Sequence, residues 1–102
     1  MENDYKFELR NYLDDNGRLK VYPSKHKYKI FALFYLATKF EPGKFYGESE
    51  INDILDGMHT FGDRCLLRRE LYNKGFFGRL NDCSKYWLEN KQPEIEELIK
   101  NY

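Results

Sequence analysis

Residues 61–87 read FGDRCLLRRELYNKGFFGRLNDCSKYW. Leu67 and Leu71 stand one helical turn apart with Leu66 beside them. At ~100° per residue, Cys65, Arg68, Arg69 and Tyr72 fall on the opposite face. Gly75 follows Lys74 as a left-handed stop. Residues 76–80 and 85–88, joined by Asn81-Asp82-Cys83-Ser84, have the shape of a two-stranded hairpin with a four-residue turn. A helix that runs straight into a hairpin is the second half of a winged helix-turn-helix, so the segments before it must supply two more helices.

They do. In GESEINDILDGM, residues 47–58, Ile51, Ile54, Leu55 and Met58 share one face and leave Glu48, Glu50, Asp53 and Asp56 to solvent. Lys44-Phe45-Tyr46 reads as a short strand ahead of it. Further upstream, a helix is predicted from an N-cap at Ser24 to about Phe40, where Glu41-Pro42-Gly43 breaks it. It has two apolar stripes, one of Ile30, Leu33, Phe34 and Ala37, the other of Tyr28, Phe31 and Tyr35. Two such faces fit a central helix wrapped on both sides; the alternative is that one stripe meets a second copy of the chain. Arg18 to Tyr22 alternates polar and apolar, and reads as a strand closed by Pro23. At the start, Tyr5, Leu9, Tyr12 and Leu13 give a helix with Asn3 and Asp4 as caps, ended by Asp15-Asn16-Gly17. At the end, Pro93 suits a first helical position, and Ile95, Leu98, Ile99 and Tyr102 make a stripe too short to stand alone. It is expected to dock on the chain's own core. The fold class is therefore α+β, mainly helical: a winged helix-turn-helix with extra N-terminal and C-terminal helices. The whole of 1–102 forms one domain, with a helical extension over 1–16, the core over 17–88 and a last helix over 89–102.

The chain has 102 residues, enough for one modest core, and 18% of them are aromatic. Leu, Ile, Phe and Tyr recur throughout, which excludes disorder. No apolar run approaches the ~20 residues of a membrane span, and no signal-peptide pattern is present. Two cysteines far apart fit reduced thiols in a cytoplasm. Lys plus Arg and Asp plus Glu are 17 each, so bulk charge announces no nucleic-acid partner. Charge alternates along the chain all the same: residues 18–39 sum to +6 and 41–63 to −5, a pattern that separate basic and acidic faces produce.

The stretches GRLKVYPSK (17–25), KFEPGKFYGESEINDIL (39–55) and GDRCLLRREL…GFFGR…SKYW (62–87) resemble a bacterial family catalogued as the domain of unknown function numbered two thousand and eighty-seven. The resemblance runs over about residues 17–88. Its most specific part is the arginine pair between leucines and the closing Tyr-Trp. It departs at the turn, where Cys83 stands at a position usually given to glycine. That family is winged-helix-like and often attached to transcription regulators, so the resemblance implies DNA binding and brings no established biochemical activity.

On that reading Arg68 and Arg69 contact bases through their planar forks, while Arg64, Tyr72, Asn73, Arg79 and Lys85 position the backbone of double-stranded DNA, with a homodimer as the expected form. Against it, the helix carrying Glu48, Glu50, Asp53 and Asp56 normally lies beside phosphates, which carboxylates repel. The alternative is a protein-interaction module, an adaptor or inhibitor of the kind mobile elements carry, that does not bind DNA directly. Where those acids sit relative to Arg68 and Arg69 discriminates the two. A third reading puts single-stranded nucleic acid on Lys20, Lys25, His26, Lys27 and Lys29 with Tyr22 and Tyr28 interleaved, provided those rings are exposed. No enzyme, cofactor or metal is expected. His26 and His59 are far apart, and no His/Cys pair, glycine-rich loop or nucleophile motif is present. Cys65 near the helix start and Cys83 at the hairpin turn are either inert thiols or a redox switch on the same face.

Overall fold

The computed structural model describes residues 5–101. Its elements are α1 (Tyr5–Glu8), α2 (His26–Ala37), α3 (Glu48–Asp56), α4 (Arg64–Asn73), β1 (Phe77–Arg79), β2 (Tyr86–Leu88) and α5 (Ile95–Asn101). The order is α+β and mainly helical, with three helices leading into an antiparallel hairpin and one further helix at each end. Among the described residues no helix is long and apolar enough to cross a membrane.

α2 is the centre. Ile30, Ala32, Leu33 and Leu36 are fully buried, and the helix packs against α1, α4 and α5. Both predicted stripes are used inside the chain. Phe34 meets Phe76 edge-on at 4.8 Å, while Tyr28 and Phe31 are covered by Tyr12 and Tyr5. The last helix docks as expected: Leu98 is buried against α2, and its carbonyl lies 2.8 Å from Nε2 of His26.

Several predicted elements come out shorter: α2 ends at Ala37 rather than near Phe40, the hairpin strands lose a residue at their ends, and the first helix and two short strands lose most. The first helix ends at Glu8, after which Arg10 and Tyr12 bond back only three residues, to Phe7 and Leu9. The Asp14 carboxylate accepts from the Asn16 and Arg18 amides, at 2.9 Å each, and from Nε of Arg18 at 3.0 Å. Such side-chain bonding offers the backbone an alternative to helix and fixes a loop there. That loop brings Leu13 opposite Leu19. The predicted strand over 18–22 reduces to Leu19, which bridges Leu13 on one side and His59 on the other. Likewise 44–46 reduces to Tyr46, which exchanges two backbone hydrogen bonds with Tyr86 (2.8 and 2.7 Å) and adds a single bridge on the other side of β2 from β1. α2 begins at His26 with Lys25 in the capping position and no side-chain cap, so Ser24 lies outside the helix. Asn3, Asp4 and Tyr102, expected as caps and as the end of the last stripe, lie outside the described residues.

Candidate functional site

α4 is fixed at both ends by local chemistry. Asp63 caps it, its carboxylate accepting from the Leu66 amide at 3.1 Å. At the other end Gly75 has φ +90°, its amide bonds Tyr72 O at 3.1 Å, and the Phe76 amide reaches Leu71 O at 2.9 Å. This is a Schellman stop, and its apolar contact is between the fully buried Leu71 and Phe76. Leu67 and Leu71 then anchor the inner face. Outward, Arg64, Cys65, Arg69, Tyr72 and Asn73 are exposed, as the spacing predicts, and Arg68 leans toward α3.

The hairpin turn keeps its tight geometry with a non-glycine residue. Cys83 takes φ +63°, its amide bonds Leu80 O at 2.9 Å, and the Asp82 carboxylate accepts from the Ser84 amide at 3.0 Å. The left-handed backbone costs a residue with a Cβ about 1–2 kcal/mol. Here the side chain also makes a contact, since Arg79 donates to the Cys83 sulfur.

Between α4, the start of α3 and this turn lies a groove of about 350 Å³. It brings together Arg68, Arg69, Tyr72, Asn73 and Arg79 from the predicted set, with Glu48, Cys65, Cys83 and Tyr86 completing the lining. Arg79 stacks its guanidinium 4.2 Å above the Tyr72 ring. Arg68 donates to Oδ1 of Asn52, lies 3.9 Å from the Glu48 carboxylate and 3.8 Å from Sγ of Cys65. Burial pushes the Tyr86 hydroxyl above the usual phenol range and Cys83 adds to this, whereas Arg68 and Arg79 oppose it. Two predicted residues fall elsewhere. Arg64 pairs with Asp56 at 2.8 Å, and Lys85 lies over the Phe45 ring at 5.4 Å.

The acids of α3 therefore divide. Glu48 lines the groove and Asp56 holds Arg64, while Glu50 accepts the Gly47 amide at 3.0 Å and Asp53 is exposed. On the basic segment, Tyr22 is half-buried, its hydroxyl 3.2 Å from Glu70, and Tyr28 packs on Tyr12 and Phe31. Burial, reinforced by Glu70, pushes the Tyr22 hydroxyl up as well. These rings serve packing rather than an open stacking platform.

His59, which its distance from His26 along the chain sets apart from a metal pair, has a structural role. His59 is buried, its Nδ1–H donating to Leu55 O at 2.6 Å and its Nε2 accepting the Asp63 amide at 3.0 Å. The ring thereby joins the end of α3 to the cap of α4.

The sequence profile of the family described as "Uncharacterized protein conserved in bacteria (DUF2087)" matches residues 18–88. The chain belongs to DUF2087. Every groove residue of this DUF2087 chain lies inside the matched segment, as do His59 and Asp63, whereas α1 and α5 lie outside it. Comparison with curated proteins and with solved structures gives no match.

Proposed function

We propose that the chain is a winged-helix interaction module whose working surface is the outer face of α4 with the hairpin, and whose partner is a protein of mixed charge. The observation that carries this is Glu48 in the same groove as Arg68 and Arg69. Two of the four arginines on this side, Arg64 and Arg68, already meet groups of α3. A duplex laid on this surface meets the Glu48 carboxylate, and two guanidiniums that must leave their α3 partners before they can release counterions. A protein surface can supply a basic side chain for Glu48 together with acceptors for Arg69, and Tyr72 offers the exposed aromatic that such contacts favour.

A second reading, double-stranded DNA in a regulatory role, is favoured by Arg69 and Asn73, which are exposed on a helix that follows a turn, and by Lys85 on the hairpin. Anisotropy with random duplex DNA, started at about 50 mM salt, separates the two readings. The module reading expects no binding there. It also expects a protein captured from extract by the wild type and lost with both Arg69→Ala and Tyr72→Ala. Duplex binding that weakens steeply with salt, and whose slope flattens in Arg69→Ala, overturns it in favour of DNA.

A further inference from the structure

We infer that the groove between α4 and the hairpin turn binds a dianionic phosphoryl group, free or carried on a small molecule, with Arg69 and Arg79 as its main holders. Three guanidiniums face this groove against a single carboxylate, Glu48, so its lining carries an excess of two positive charges. That carboxylate stands beside Arg68, 3.9 Å away. Among the described residues neither Arg69 nor Arg79 has an acidic partner within ion-pair distance. The groove is thus an electrostatic arrangement short of an anion.

It is also preorganised. Arg79 is held from one side by the Tyr72 ring and from another by the Cys83 sulfur, so taking a ligand costs it little side-chain freedom. Arg68 is tied to Asn52 in the same way. Asn73 and Tyr86 add neutral donors to the lining. Guanidinium forks match the oxygens of a phosphoryl group bidentately, and its charge of about −1.5 to −2 at pH 7 meets the excess that a carboxylate would only half neutralise. A volume of about 350 Å³ lies at the small end of ligand sites, which suits a phosphate or a short phosphomonoester. Glu48 has a defined part here: it opposes an anion on the Arg68 side and keeps the ligand toward Arg69 and Arg79. The site shares Arg69 and Tyr72 with the surface proposed to meet a protein, so a small anion and that partner compete for it. The titration below reads the anion alone, and its outcome is separate from capture of a protein.

The test is a titration of the ¹⁵N-labelled full chain at constant ionic strength and pH 7.5, in separate arms of inorganic phosphate, O-phosphoserine and acetate, following amide shifts. Saturating shifts confined to residues 47–52 and 65–86, tightened severalfold by Glu48→Gln and weakened about tenfold by Arg79→Gln, are expected, since one charge-assisted bond is lost in the latter. Arg69→Gln changes an exposed side chain and is expected to weaken binding with the rest of the spectrum unmoved, which keeps the test sound if Arg79→Gln disturbs the hairpin. Saturation with phosphate alone assigns the free ion, and tighter binding of phosphoserine assigns an ester. Shifts that grow linearly without saturating, equal affinity for acetate, or saturation indifferent to Arg69→Gln and Arg79→Gln overturns the inference.

Discussion

A Cβ built on Gly78 would stand 2.3 Å from Nε1 of Trp87, its cross-strand partner, so this strand position accepts no side chain. The indole covers the glycine and donates to Glu89 at 3.0 Å, which closes that face of the hairpin. Gly78→Ala forces the ring aside at a cost of about 1–3 kcal/mol. Because Trp87 is the one tryptophan of the chain, a red-shifted emission together with a lowered urea midpoint checks it. Single residues differ in how much of this the sequence discloses. Gly75 announces a left-handed helix stop by its place after Lys74, and it has that conformation. Cys83 announces nothing. Its left-handed backbone follows from the turn around it. The two arginines are legible as an exposed pair on the right helix, yet spacing along α4 carries no information about where Asn52 and Glu48 lie on α3. That tertiary fact decides that Arg68 turns inward and Arg69 does not.

Among the elements, α4 and the hairpin are readable because their signals are local: leucines one turn apart, a glycine stop, and alternation across a short turn. The segments that came out much shorter are those in which a side chain or a distant strand competes with the local preference. Asp14 fixes a loop behind the first helix through the Asn16 and Arg18 amides, and Leu19 and Tyr46 find partners for one rung each rather than for a full strand. α4 presents most of the candidate surface, and its first turn rests on Asp63. Asp63→Ala removes the carboxylate that accepts the Leu66 amide while leaving the Asp63 amide on His59 intact. The expected loss is about 1 kcal/mol, which for a domain of this size is a fall of about 4–8 °C in Tm. A thermal melt beside Asp63→Asn, which keeps a capping oxygen, checks that the effect is the cap.

At the scale of the whole molecule the core does not stop where the family match stops. Leu9 and Leu13 before residue 18, and Leu98 after residue 88, are buried in the same cluster as Leu33 and Leu67. A chain trimmed to residues 18–88 exposes the flanks of α2 that those leucines cover. Each lost leucine contact costs about 2–5 kcal/mol against a typical total of about 5–15. Such a fragment is expected to lack a cooperative unfolding transition, which circular dichroism during a urea titration checks. Eight of the nine residues that line the groove lie within residues 61–87, and five of them are site residues that the sequence names. The groove's charge balance is not legible there, because it depends on the first turn of α3 folding back beside α4.

His59 joins three stretches of backbone: its ring holds the end of α3 through Leu55 O and the start of α4 through the Asp63 amide, while the backbone on either side of it pairs with Leu19 through Met58 O and the Thr60 amide. Opening any one of these loosens the residue that the other two share. Local fraying of α4 from its N-terminal end is therefore coupled to release of the Leu19 loop, and the three segments form one cooperative unit that opens together or not at all. In native-state hydrogen exchange, the amides of Leu19, Thr60 and Asp63 are expected to share one opening free energy, distinct from that of the turn at Cys83. Exchange of Asp63 far ahead of Leu19 would show that the ring does not couple them.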